Sequence, residues 1–169
     1  MAYLRRKVDQ QLDFCDDLLR ITVEPSARDA LRSAICWQLE QTLCFYLLEL
    51  ALASGNRRWS HGWTLDIGLL AAALKSAPSA DIQELVDLSQ EPNSWLADLL
   101  SGLQSLRRIE ESGSLKGEMF QTDAVESQPQ LIVSSGAVFP VVPEWENLVR
   151  IKEALCSTIQ RQRLGHEEY

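Results

Sequence analysis

Seven consecutive residues, Arg57-Arg58-Trp59-Ser60-His61-Gly62-Trp63, gather the side chains of this sequence best suited to chemistry: two cations, a histidine and two indoles in one linker. A guanidinium from Arg57 or Arg58 would hold a phosphate or carboxylate through paired N–H donors. His61 would serve as acid or base, because an imidazole changes charge near neutral pH. Trp59 and Trp63 would stack on a ligand ring. The competing reading is an ordinary turn, with indoles anchoring it to the body of the protein and arginines in water, since short clusters of this kind arise often by chance.

The rest of the chain offers less. A di-metal carboxylate bundle needs Glu-x-x-His pairs on facing helices. The two histidines, His61 and His166, are each preceded three residues earlier by arginine, so no metal site is expected. Glu40 and Glu49 stand alone on a long helical pattern and are expected to be solvated or paired. Cys36 and Cys44 lie eight apart, on nearly one helical face, but without a nearby histidine they read as core rather than as nucleophiles. A Gly-rich phosphate loop, a nucleophile elbow and a dinucleotide fingerprint are all missing, and no cofactor is implied. The acidic pairs Asp16-Asp17, Glu110-Glu111 and Glu167-Glu168 read as solvated faces.

Composition sets the outer bounds. The chain has 169 residues, 46% hydrophobic, with 24 acids against 16 bases and a formal charge of -8. That suits one globular domain with its own core. A broad polyanion-binding face needs clustered cations, so general nucleic-acid binding is disfavoured, as is an anionic membrane surface. Twelve of the 16 cations are arginine, so one local anion pocket stays possible. Four cysteines without a Cys-x-x-Cys pair, no apolar leader and no run near the ~20 residues of a membrane span lead to the expectation of a cytoplasmic protein.

The elements follow from apolar spacing. Leu4, Val8, Leu12, Cys15 and Leu19 form one face of a helix over about 3–22, with Arg5, Asp9, Asp13 and Asp16 opposite. Ser26 and Asp29 suggest a capping box for a long helix running to Gly55. Its apolar positions wrap most of the circumference beyond Cys44, which marks the central helix of a bundle. Three helical pieces follow over 64–108, capped by Thr64 or Asp66 and broken at Pro78 and Pro92. Residues 110–142 lose the helical stripe and read as a long irregular arm, and Pro143 suits the first turn of a last helix. The expectation is all-α: a single-domain bundle of five to six helices on a four-helix core.

Two resemblances bear on function. The Arg57–His61 spacing resembles the Arg-x(4–6)-His motif of HEPN-type ribonucleases, which are also helical bundles. Three residues separate the pair here, however, and that family carries the motif on a helix. Separately, Pro78-Ser79, Glu84-Leu85, Leu88 and Gln90-Glu91-Pro92-Asn93-Ser94-Trp95-Leu96, with Gln128-Pro129-Gln130-Leu131-Ile132 later, resemble an uncharacterised family of small gammaproteobacterial proteins known only as a domain of unknown function. That resemblance implies a bacterial, cytoplasmic, helical protein and no activity. The leading expectation is a homo-oligomer acting through protein–protein contacts, because five tryptophans and a long arm favour an interface. Trp37 and Trp145 are expected in the core, Trp59 and Trp63 outside it. The alternatives are a HEPN-like nuclease or nucleotide-binding bundle using Arg57, Arg58 and His61, or a bundle binding a small ligand.

Overall fold

Burial explains why the apolar spacing produces helices in this order. In the computed structural model, which describes residues 2–56, 64–118 and 142–167, Leu4, Val8, Leu12 and Cys15 turn inward together along α1 (Ala2–Arg20). A 3-10 turn (Pro25–Ala27) leads into α2 (Arg28–Ala53). Then come α3 (Ile67–Ser76), α4 (Ala80–Gln90), α5 (Trp95–Glu118) and α6 (Trp145–Glu167), with no strand among the described residues. The all-α bundle expected from the sequence is the fold.

Helix α2 is the axis. Ile35, Leu39, Leu43, Tyr46 and Leu47 are fully buried along it. These five share about a third of the circumference, and buried Cys36, Glu40, Cys44 and Ala51 extend the covered arc, in keeping with contacts from α2 to each of the other five helices. Around it α1, α5 and α6 close a four-helix core, and the α3–α4 hairpin packs against α2 and α5. The contacts Lys7–Phe45 and Gln11–Gln38 run in opposite chain directions, so α1 and α2 form an antiparallel hairpin. Each fully buried Leu or Ile stabilises the fold by roughly 1.5–3 kcal/mol relative to exposure.

The punctuation works through named caps. Asp66 accepts a hydrogen bond from the Leu69 N–H at 2.6 Å, so Asp66 rather than Thr64 caps α3. Ser79 caps α4 by accepting from the Ile82 N–H. In the Pro92 turn, Asn93 takes the left-handed conformation that asparagine tolerates (φ 65°). Ser94 then accepts from the Ala97 N–H and donates to the Leu88 carbonyl, which seats Trp95 and Leu96 in the core. Trp37 and Trp145, expected in the core, are half-buried and pack against it.

Three local expectations are corrected. The capping box at Ser26 does not form. Pro25 starts a 3-10 turn there, and this places Ser26 inside the turn instead of in the extended backbone an N-cap requires. Asp29 instead pairs with Arg32 at 3.2 Å. Helix α5 continues to Glu118, so the first residues assigned to the arm are helical. Gly113 and Gly117 cost about 1 kcal/mol each, but the helix-favouring Arg, Glu, Leu and Lys residues around them carry the turn onward. The remaining arm, 119–141, lies outside the described residues. Pro143 sits just before α6, whose first bond runs from the Leu148 N–H to the Glu144 carbonyl.

Gly102, in the middle of α5, has a steric reason to lack a side chain: a Cβ there would lie 2.6 Å from Pro143 Cδ. Gly102→Ala is therefore expected to destabilise the protein by about 1–3 kcal/mol in urea unfolding, because the start of α6 must shift. Gly165→Ala, whose Cβ would meet nothing within 4 Å, is the matched control. It is expected to be neutral or stabilising by up to about 1 kcal/mol.

Candidate functional site

The linker 57–63, with Arg57, Arg58, Trp59, His61 and Trp63, lies outside the described residues. The chain resumes at Thr64, and Leu65 and Asp66 immediately enter the wall of a cavity of about 560 Å³ between the start of α3 and α5. Beside it lies a joint that the sequence only hinted at. The Glu40 carboxylate, from α2, is 2% exposed. It accepts from the Leu65 N–H at 2.6 Å and from Arg107 Nη2 on α5. Arg107 Nη1 donates in turn to the Leu65 carbonyl at 3.1 Å, and its guanidinium lies 5.7 Å from the Trp37 ring centroid. Both polar groups of one peptide segment are thereby clamped by an ion pair joining two helices. Loss of hydration raises the Glu40 pKa, and the Leu65 N–H and Arg107 only partly oppose that rise.

The cavity's polar wall is largely engaged already. Asp66 caps α3, Ser89 donates to the Val86 carbonyl, and Arg107 serves Glu40 and Leu65. The same economy holds at the other end of α2. Glu49 receives Arg163 through two bonds, at 3.0 and 2.7 Å, and Arg163 also reaches Asp9 at 2.6 Å. Tyr46, its phenol pKa raised by burial, donates to Gln162 at 2.6 Å, and Gln162 donates to Glu84 at 2.9 Å. Glu40 and Glu49, two lone acids in the sequence, are paired and buried.

The remaining reactive side chains are likewise committed. Cys15, Cys36 and Cys44 are buried, and burial pushes each thiol up to about 12, so none supplies a thiolate at neutral pH. His166 Nε2 lies 2.7 Å from Asp81 Oδ2. Asp16, read from the sequence as solvated, pairs with Lys152 of α6 at 2.7 Å. Among the described residues no three His, Cys, Asp or Glu side chains converge as a metal site. None of the described helices is long and apolar enough to cross a membrane.

What remains uncommitted is on the outside of α1. Tyr3, Phe14 and Ile21 are 74%, 44% and 46% exposed. Ile21 directly follows α1, and its N–H closes a last turn onto the Leu18 carbonyl three residues back. At the end of this line a second cavity, of about 610 Å³, is walled by Ile21, Val23, Arg28, Arg32 and Trp145. The sequence reading placed charges on the outer side of this helix and missed the apolar line. Its signal was the spacing of positions 3, 14 and 21, which fall close to one angular position at 100° per residue.

Over residues 4–169 the chain matches the Family of unknown function (DUF6586), and it belongs to that family. This agrees with the domain of unknown function that the 78–96 and 128–132 blocks resemble. No curated protein and no solved structure matches the chain.

The clamp at Leu65 yields a signed prediction. Arg107→Leu leaves the Glu40 carboxylate buried without its partner and is expected to cost about 3–5 kcal/mol in chemical unfolding. Adding Glu40→Leu should recover most of that loss. Because folding raises the Glu40 pKa, the folded chain binds the extra proton between the unfolded and folded values. That share of stability is full below the ordinary carboxylate range and is lost as pH rises through the raised pKa. Glu40→Gln should remove this component from the pH dependence of unfolding.

Proposed function

We propose that this family member works through protein–protein contacts, as a homo-oligomer in a bacterial cytoplasm, and that the outer face of α1 makes the contact. The carrying observation is the line of Tyr3, Phe14 and Ile21, three large apolar side chains exposed along one side of a helix whose opposite side is already committed to the core. A lone exposed apolar residue is commonplace, but an aligned set marks an interaction surface. Aromatic residues also dominate the centres of interfaces, because they bury much area at little entropic cost. The exposed Ile67 and Leu164 lie singly, on α3 and α6.

Two further features favour contact over chemistry. The buried acids, thiols and phenol of the described residues are held by internal partners or by burial. The acidic balance of the chain keeps it from non-specific polyanions and leaves recognition to shape and apolar area. Cysteines that form no disulfide suit the reducing compartment.

The test is the solution mass by light scattering on a sizing column, across a wide range of protein concentration. The expected mass is at least twice the 19.1 kDa of one chain. Phe14→Asp, at an exposed position, is expected to weaken association by about tenfold or more while leaving helicity intact. A strict monomer at every concentration would overturn the homo-oligomer. RNA cleavage that disappears in His61→Ala would overturn the protein-contact reading and move the function to the 57–63 linker.

A further inference from the structure

The exposed line on α1 has an internal symmetry that specifies its partner. Positions 3, 7, 10, 14, 17 and 21 alternate steps of four and three, the spacing of a helix-pairing seam. They hold Tyr3, Lys7, Gln10, Phe14, Asp17 and Ile21. Reversing the line about Leu12 maps 3 onto 21, 7 onto 17 and 10 onto 14. An apolar residue then meets an apolar one, the cation meets the acid, and an amide meets an aromatic side chain.

The charges of α1 are divided in the same sense. Its first half carries Arg5, Arg6 and Lys7 against Asp9, and its second half carries Asp13, Asp16 and Asp17 against Arg20. Internal pairing removes Asp9, held by Arg163, and Asp16, held by Lys152. Of the rest, Arg6 and Lys7 lie near the start of the outer side, and Asp13 and Asp17 lie near the end, where Arg20 offsets one of them. The Lys7 ammonium is braced at the surface by Gln10 Oε1 at 3.2 Å and by the Phe45 ring. A parallel copy would stack Lys7 on Lys7 and Asp17 on Asp17, whereas an antiparallel copy brings opposite charges together and also opposes the helix dipoles.

We infer that the occupant of this surface is a second copy of the chain, its α1 packed antiparallel across a two-fold axis near Leu12, with Lys7 of each copy against Asp17 of the other. The inference rests on the homo-oligomer proposed above and adds its partner, orientation and register. A two-fold contact is self-complementary by construction, so every favourable pair occurs twice. The arrangement contains one unfavourable meeting: Asp13 approaches its own copy beside the axis.

Charge reversal in the full-length protein tests the register. Lys7→Glu and Asp17→Lys should each weaken the dimer by about tenfold, since each spoils two symmetry-related pairs. The double variant Lys7→Glu/Asp17→Lys should return to near the wild-type dissociation constant, and Asp13→Asn should tighten the dimer. Circular dichroism verifies that the variants fold. Should a reversal fail to fold, the orientation is read from a spin label at Tyr3→Cys in a Cys156→Ser background. Eighteen residues at 1.5 Å each separate position 3 from 21, so an antiparallel pair puts the two labels roughly 27 Å apart or more. A dimer indifferent to the reversals, one whose double variant does not recover, or one with adjacent labels would overturn this register and leave the protein-contact reading standing. A wild-type monomer would overturn both.

Discussion

The structure depends on one constraint: a 26-residue helix whose apolar positions wrap most of the circumference beyond Cys44 must be surrounded, and the polar groups it buries must be matched. α2 meets this by taking its neighbours in a fixed register. Glu40 draws Arg107 from α5, Glu49 draws Arg163 from α6, and Tyr46 draws Gln162 from α6. The apolar contacts of α2 are compatible with many small slides of one helix along another, because burial is proportional to area and indifferent to direction. A buried carboxylate is not indifferent. Displaced by one helical turn, it would lose its guanidinium and keep its desolvation cost.

Those joints also tie the irregular connections to the core. The segment after the linker is held by its own backbone, with the Leu65 N–H on Glu40 and the Leu65 carbonyl on Arg107. The approach to α6 is held in the same way, since Arg32 of α2 donates to the carbonyls of Val142 and Pro143. Arginine suits both places, because its planar group can serve an acid and a carbonyl at once. The bundle thus uses side chains of α2 and α5 where hydrogen bonds of regular structure are missing.

Helix α1 stands apart from this economy. It gives the core Leu4, Val8, Leu12 and Cys15 and sends Asp9 and Asp16 to α6, yet it keeps Tyr3, Phe14 and Ile21 outside. Elsewhere in the described residues, large apolar groups outside the core occur singly. The proposed contact therefore falls on the helix that carries the aligned set of exposed apolar side chains.

By itself the sequence determined the local structure. The 3.6-residue periodicity of Leu4, Val8 and Leu12, a cap for α3 at Thr64 or Asp66, and the breaks at Pro78 and Pro92 depend on near neighbours, and near neighbours are legible in one dimension. It also indicated α2 as the central helix, since apolar residues all round a helix have no other explanation. Where local signals competed it misled: Pro25 displaced the capping box expected at Ser26, and favourable propensities carried α5 past Gly113. What only the tertiary structure decided was which charges are paired and which faces are covered. Glu40 meets Arg107 across 67 positions and Glu49 meets Arg163 across 114, distances over which no pattern in a single sequence links two residues. The exposure of Phe14 was decided in the same way: the spacing of positions 3, 14 and 21 aligns the three residues, but only the packing of their neighbours shows that this side of the helix is uncovered.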